Sequence, residues 1–130
     1  MIEASRLGQY AVDSKFSILI PSWNNLELLK LCIKSIKSHS SFNHQIIIHI
    51  NEGSDGSLEW TKTQNDISFT YSKKNIGVCY ALNAMRALVK TEYMVFVNDD
   101  MYLLPEWDKF FLEEINNAPN QLFFFSGTSL

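Results

Sequence analysis

The run Gln45-Ile46-Ile47-Ile48-His49-Ile50 constrains this chain more than any other stretch. It is apolar or β-branched at nearly every position rather than at alternate ones. A strand of that kind is covered on both faces, and such strands belong to parallel sheets flanked by helices. Phe16-Ser17-Ile18-Leu19-Ile20, closed by Pro21, is a second run, and Tyr93 to Val97 is a third. Ser68-Phe69-Thr70-Tyr71 alternates and reads as a shorter strand.

Helical periods fill the gaps between these runs. Asn24 suits a helix N-cap, with Glu27 three residues on. Leu29, Cys32, Ile33 and Ile36 then follow at i, i+3, i+4 and i+7. Leu58 to Gln64 reads as a short helix. Val78, Ala81, Leu82, Met85, Leu88 and Val89 make one apolar stripe over three turns. Pro105 suits a first helical position, with Trp107, Phe110, Phe111 and Ile115 as the buried face behind it. Leu122 to Phe125 reads as a last strand. Met1 to Lys15 shows no period and reads as a lead-in, so the domain is expected to run from residue 16 to residue 130.

Strand and helix alternate at βαβ spacing. The expected fold is therefore α/β: a Rossmann-like, mostly parallel sheet in a three-layer α/β/α arrangement. Crossovers in such sheets are right-handed. If the order reverses after the third strand, as 3-2-1-4, the first and fourth strands become neighbours. Their carboxyl ends then flank a switch-point crevice, the usual ligand site of open α/β sheets. That arrangement would gather Trp23, Glu52 and Asp99-Asp100, which are distant in sequence.

Tyr93 to Val97 ends abruptly in Asn98-Asp99-Asp100. Asp and Asn are common in solvated turns after strands. Adjacent carboxylates at a sheet's carboxyl edge also suit a hard cation, and Mg²⁺ typically takes one or two carboxylates plus substrate phosphates. Lys73 and Lys74 form a pair that more often marks a solvated face than a phosphate site. His39, His44 and His49 show no ligand spacing, and His49 reads as a hydrogen-bonded strand residue.

Composition sets outer bounds. A 130-residue chain that is 46% hydrophobic can build one core. A net charge of −3 argues against nucleic acid as the main partner. Cys32 and Cys79 lack metal-ligand spacing and read as small buried residues of a reducing compartment. No apolar run approaches the ~18 residues that a membrane span needs, and the N-terminus lacks a signal-peptide design, so the expected location is cytoplasmic.

Taken together, Ile20-Pro21-Ser22-Trp23-Asn24, Asn51-Glu52-Gly53-Ser54-Asp55-Gly56, Asn75-Ile76-Gly77 with Asn83, and Asn98-Asp99-Asp100 with Pro105 resemble the inverting glycosyltransferases of the GT-A fold, family 2. The resemblance covers roughly residues 16 to 126. It implies transfer of a sugar from a UDP- or dTDP-type nucleotide-sugar donor to the hydroxyl of a saccharide or lipid-linked acceptor, in polysaccharide biosynthesis. The full enzyme would associate peripherally with a membrane. Trp23, beside Pro21 and Ser22, corresponds to the aromatic that packs on the base. Glu52 corresponds to an acid, usually Asp, that accepts from the base. Asn75 and Gly77 correspond to the loop that brings a helix N-terminus to the nucleotide. Asn98 replaces the first acid of the metal motif. Asp100 corresponds to the principal ligand of Mg²⁺ or Mn²⁺, and Asp99 to a residue beside the ribose or the metal. Asp55 is expected to cap the following helix. Asn83 and Arg86 stand near the position of the diphosphate. The family's general base, an Asp or Glu on the acceptor side, has no match, so the catalytic base is unknown. The chain is expected to stop before the acceptor-binding half and to be inactive by itself, with apolar surface left open around Leu122 to Phe125. A non-catalytic nucleotide-binding or interaction module is the alternative reading. A receiver-like phospho-acceptor domain would need an acidic pair where Pro21-Ser22-Trp23-Asn24 stands.

Overall fold

The computed structural model describes residues 1–118. The expected strand at Leu122 to Phe125 lies outside them. In chain order the elements are β1 (Ala4–Arg6), β2 (Phe16–Trp23), α1 (Leu26–His39), β3 (Gln45–Asn51), α2 (Ser57–Lys62), β4 (Ile67–Ser72), α3 (Gly77–Arg86), β5 (Tyr93–Phe96) and α4 (Trp107–Asn116). The sheet order is β1-β4-β3-β2-β5. β2, β3, β4 and β5 are parallel, and only β1 runs against its neighbour. The reversal expected after the third parallel strand is present, because β2 pairs with β3 on one side and with β5 on the other.

The sheet divides two unlike cores. On one face Phe16, Ile18, Ile20, Ile46, Ile48 and Ile50 pack against Leu29, Cys32, Ile33 and Ile36 of α1, with Leu58 of α2 and Trp107 of α4. On the other face Leu19 and Ile47 meet Ala81 and Met85 of α3. That second core is smaller and partly polar. The Ser17 hydroxyl donates to Gln45 Oε1 at 2.6 Å, the Gln45 amide donates to Leu88 O at 2.8 Å, and the Lys90 amide donates back to Gln45 Oε1 at 2.9 Å. These bonds fasten the turn between α3 and β5 to the sheet, and each of these three polar groups finds a partner.

Several elements differ from expectation. The lead-in contributes β1, which pairs antiparallel with β4. It is pinned by Arg6, whose guanidinium donates to the carbonyls of Lys62, Gln64 and Ile67 at 2.6–2.9 Å and lies over the Phe69 ring. Three residues are too short to show a period. β2 runs on through Pro21 to Trp23. Leu19 O accepts from Val97 N on the β5 side. Pro21, two residues on, therefore faces the same side, where β5 pairing has already ended at Leu19↔Phe96. Its missing N–H forfeits no ladder bond there. α4 starts after Glu106, at φ 65°, and not at Pro105. Its buried side is Trp107 with Phe111, Leu112 and Ile115, whereas Phe110 is exposed. On α3, Val78 and Cys79 are exposed, so Cys79 is not a core residue. β5 is only half-buried, because α3 leaves Met94 and Phe96 uncovered.

His49 is fully buried on the α3 face. Its Nδ1 lies 2.7 Å from Thr70 Oγ1 and its Nε2 2.9 Å from Ser72 Oγ. Burial lowers its pKa from 6.5 to about 4, against an opposing hydrogen bond with Asn51. The folded state therefore binds fewer protons than the unfolded chain between those values. The His49 contribution to stability is full above pH 6.5 and is lost as the pH drops toward 4. Urea unfolding across that window should show the fall in wild type and a flatter profile in His49→Gln. Ile48→Ala, at a fully buried position of the central pair, should cost about 2–5 kcal/mol in the same assay.

Candidate functional site

The carboxyl ends of β2, β3 and β5 open into a cleft of about 470 Å³. Pro21, Ser22, Trp23, Asn75, Gly77 and Asp99 all line it, together with Asn24, Asn25, Asn51, Val78 and Asn98. Six of the residues singled out in the sequence are thus brought together from three separate loops. Glu52 stands at the rim beside Trp23, and Asp100 is exposed next to Asp99.

One wall is aromatic. Trp23 is 56% exposed, so its ring is not folded back into the core. Its Nε1–H donates to Glu52 Oε1 at 3.3 Å. Glu52 Oε2 accepts from the Ser54 hydroxyl at 2.6 Å, and Ser54 Oγ accepts from the Asn24 amide at 3.1 Å. The Glu52 carboxyl is held below the ordinary range by its bonds from Ser54, Trp23 and Asn24. Asn24 and Glu52 both have positive φ, 46° and 65°. Strained backbone of this kind persists where surrounding contacts enforce it. Gly53 follows at φ 70°, and a Cβ there would lie 2.7 Å from Ile50 Cγ2, so the turn requires glycine.

Asp55 has two tasks. Its Oδ1 accepts from the Ser57 amide at 3.0 Å and from the Ser57 hydroxyl, at the start of α2, as expected. Its Oδ2 accepts from the Leu26 amide at 2.9 Å, at the start of α1. Asp55 therefore supplies the cap that Asn24 was expected to give, and neither Asn24 nor Asn25 caps α1 with its side chain. Burial pushes the Asp55 carboxyl up, but the Ser57 and Leu26 donors outweigh it and hold it low.

The opposite wall carries the carboxylates. Asp99 Oδ2 accepts from the buried Ser22 hydroxyl at 2.8 Å, which ties the β5 loop to β2. The carbonyl of the preceding Asn98 accepts from Cys32 Sγ at 3.7 Å. The Cys32 thiol is pushed up to about 12 by burial, with the negative charges of Asp99 and Asp100 adding to it. Those two carboxylates therefore set a negative field at this corner of the cleft.

The floor depends on Asn51, a residue that the sequence reading left without a role. Its amide donates to Ser22 O at 3.3 Å, and its Oδ1 accepts from the Ile76 amide at 2.9 Å. A single buried carboxamide thus joins β2, β3 and the loop before α3. The available signal was the same one seen at Asn98, a polar residue closing an apolar strand. Asn75 Oδ1 accepts from the Gly77 amide at 2.9 Å, and Gly77 sits at φ 79°. This turn starts α3 at the cleft edge, with the helix's first amide held by the Asn75 side chain. Lys73, Lys74, Asn83 and Arg86 are exposed and do not line the cleft. Among the described residues, no three His, Cys, Asp or Glu side chains cluster as a metal cage.

Chemically, the site offers an exposed π-face, amide donors at a helix start, and two adjacent carboxylates. That combination suits a base, a phosphate and a divalent ion in a row.

No curated protein matches the sequence. Solved structures do. The chain is similar to Staphylococcus aureus TarS residues 1–349, with 19% identity, 79% of this chain and 32% of that one covered, and a TM-score of 0.68. TarS 1–349 in complex with UDP gives 17% identity, the same two coverages and a TM-score of 0.65. The chain spans about a third or less of the length of these structures. The sequence profile described as "Glycosyl transferase family 2" matches residues 17–128. With its parallel sheet reversed at β2 and its polar loops gathered at one cleft, the chain belongs to glycosyl transferase family 2.

Proposed function

We propose that this chain forms the donor site of a metal-assisted, inverting glycosyltransferase that uses a UDP- or dTDP-type sugar. The convergence of Trp23, Ser22, Asn75, Gly77 and Asp99 on one cleft carries the reading. A similar fold in complex with UDP supports it.

In this reading the base stacks on Trp23, and Glu52 holds the indole edge while its remaining lone pairs face the base edge. The amides of α3 that follow Gly77, whose own N–H is held by Asn75, face the diphosphate. Asp99, steadied by Ser22, and the adjacent exposed Asp100 would hold Mg²⁺ or Mn²⁺. Two carboxylates fit an ion that completes its shell with water and phosphate oxygens. Such an ion supplies Lewis-acid stabilisation to the departing nucleoside diphosphate. In the transfer itself, the bond from the anomeric carbon to the diphosphate oxygen breaks, and that oxygen keeps the electron pair. The acceptor oxygen bonds to the opposite face of the same carbon and loses its proton to a base. No described residue is assigned as that base, and the acceptor class is a saccharide or a lipid-linked acceptor.

Isothermal titration with UDP, with and without Mn²⁺, tests the donor site. Wild type should bind UDP, and more tightly with Mn²⁺. Asp100→Ala should abolish the Mn²⁺-dependent gain. Trp23→Ala should weaken UDP binding about 5- to 150-fold with or without metal, since a base on an aromatic face is worth ~1–3 kcal/mol. No binding by wild type, or equal Mn²⁺ dependence in Asp100→Ala, overturns the reading.

A further inference from the structure

The segment 97–106, which carries Asn98, Asp99 and Asp100, has no helix or strand of its own. It is nevertheless fastened along α1. The Leu103 amide donates to Ser35 Oγ at 2.9 Å, and Leu103 O lies 2.6 Å from His39 Nδ1. The Glu106 amide donates to His39 O at 3.1 Å, and Trp107 Nε1–H donates to Ser40 Oγ at 3.1 Å.

At the foot of this ladder stands Asp108, which is 0% exposed. It accepts from the Ser41 and Phe42 amides at 2.9 Å, just beyond the end of α1. It also accepts from His44 at 2.7 Å and from the Lys109 amide at 3.0 Å. The Phe16 amide donates to His44 Nδ1 at 3.2 Å, so Nε2 bears the imidazole proton and donates it to Asp108. His44 is clamped in that orientation between the rings of Phe16 and Trp107. Asp108 also lies in the first turn of α4, where the helix end favours a negative charge. A fully buried carboxylate with this many donors is far more than a helix needs to start. It ties α4 to the loop between α1 and β3, at the point where the carboxylate segment re-enters the fold.

We propose that Asp108, oriented by His44, is a positioning residue for the Asp99–Asp100 carboxylates. It locks α4 against the end of α1 and so sets the span over which segment 97–106 crosses α1. Removing it frees the lower end of that segment and lets the carboxylates drift, although Asp108 itself touches no ligand. The metal-dependent half of this proposal rests on the donor-site reading above. The anchoring half does not.

The test compares wild type, Asp108→Asn and Ser35→Ala. The asparagine keeps the shape but turns N–H groups toward donors. Ser35→Ala removes one rung at the middle of the ladder and guards against a failure of Asp108→Asn to fold. Hydrogen exchange by mass spectrometry should accelerate in peptides covering 97–106 while β2 and β3 stay protected. In UDP titrations the Mn²⁺-dependent gain should fall, by no more than the about 10- to 100-fold typical of groups bonded directly to a metal ligand. The metal-free UDP affinity should stand, which a general loosening of the fold would not allow. Unchanged exchange over 97–106 in both variants, or equal acceleration throughout the sheet, overturns the proposal. If wild-type UDP binding shows no Mn²⁺ dependence, the donor-site reading fails and the exchange result alone decides whether Asp108 anchors the segment.

Discussion

The pairing of β2 with β3 on one side and β5 on the other is the constraint on which everything else depends. Parallel strands deliver all their carboxyl ends to the same edge. When the connections turn in opposite directions on either side of β2, the loops diverge and a crevice opens between them. Helices must then cover both faces, since parallel strands leave neither face to water. α1, α2 and α4 cover one face, and α3 covers part of the other. The cleft and its three loops are consequences of that one reversal in strand order.

The loops themselves are held by polar side chains and not by apolar packing. Asn51 bonds to Ser22 O and the Ile76 amide, Asp55 caps two helices at once, and Ser22 holds Asp99. Each of these groups spans elements that are distant in sequence. Where the group is buried, as Asn51 and Ser22 are, such bonds fix geometry more tightly than dispersion contacts, because a lost partner leaves a desolvated polar atom. The walls of the cleft differ accordingly in chemistry. An exposed indole lies at the β3 side of β2, and Asp99, with Asp100 next to it, at the β5 side.

How legible each part was in the sequence follows from the length over which its cause acts. The all-apolar run at Ile46–Ile48 and the i, i+3, i+4 stripe at Leu29, Cys32, Ile33 and Ile36 are local patterns, and both elements form where those patterns lie. The extra strand β1 was not legible, because three residues carry no period and its anchor, Arg6, binds carbonyls some 60 positions away. The cap on α1 was assigned to Asn24 because that residue is adjacent in sequence. The donor amide instead found Asp55, which the fold delivers from the next loop. Val78 fits a helical stripe and Cys79 lies beside it, but a stripe says only that a face is apolar and not that anything covers it.

By itself the sequence determined the class of fold, the order of elements from β2 to α4 and the types of residue at each strand end. These follow from backbone periodicity and from the conformational preferences of Gly, Asn, Asp and Pro, which act over a few residues. Only the tertiary structure decided which strand ends meet, that Trp23 stays exposed against Glu52, that Asn51 forms the floor, and that Asp108 and His44 bind each other beneath α4. Those outcomes depend on hydrogen bonds and burial between residues tens of positions apart. No local preference encodes them, because the partners exist only once the sheet has brought its carboxyl edge together.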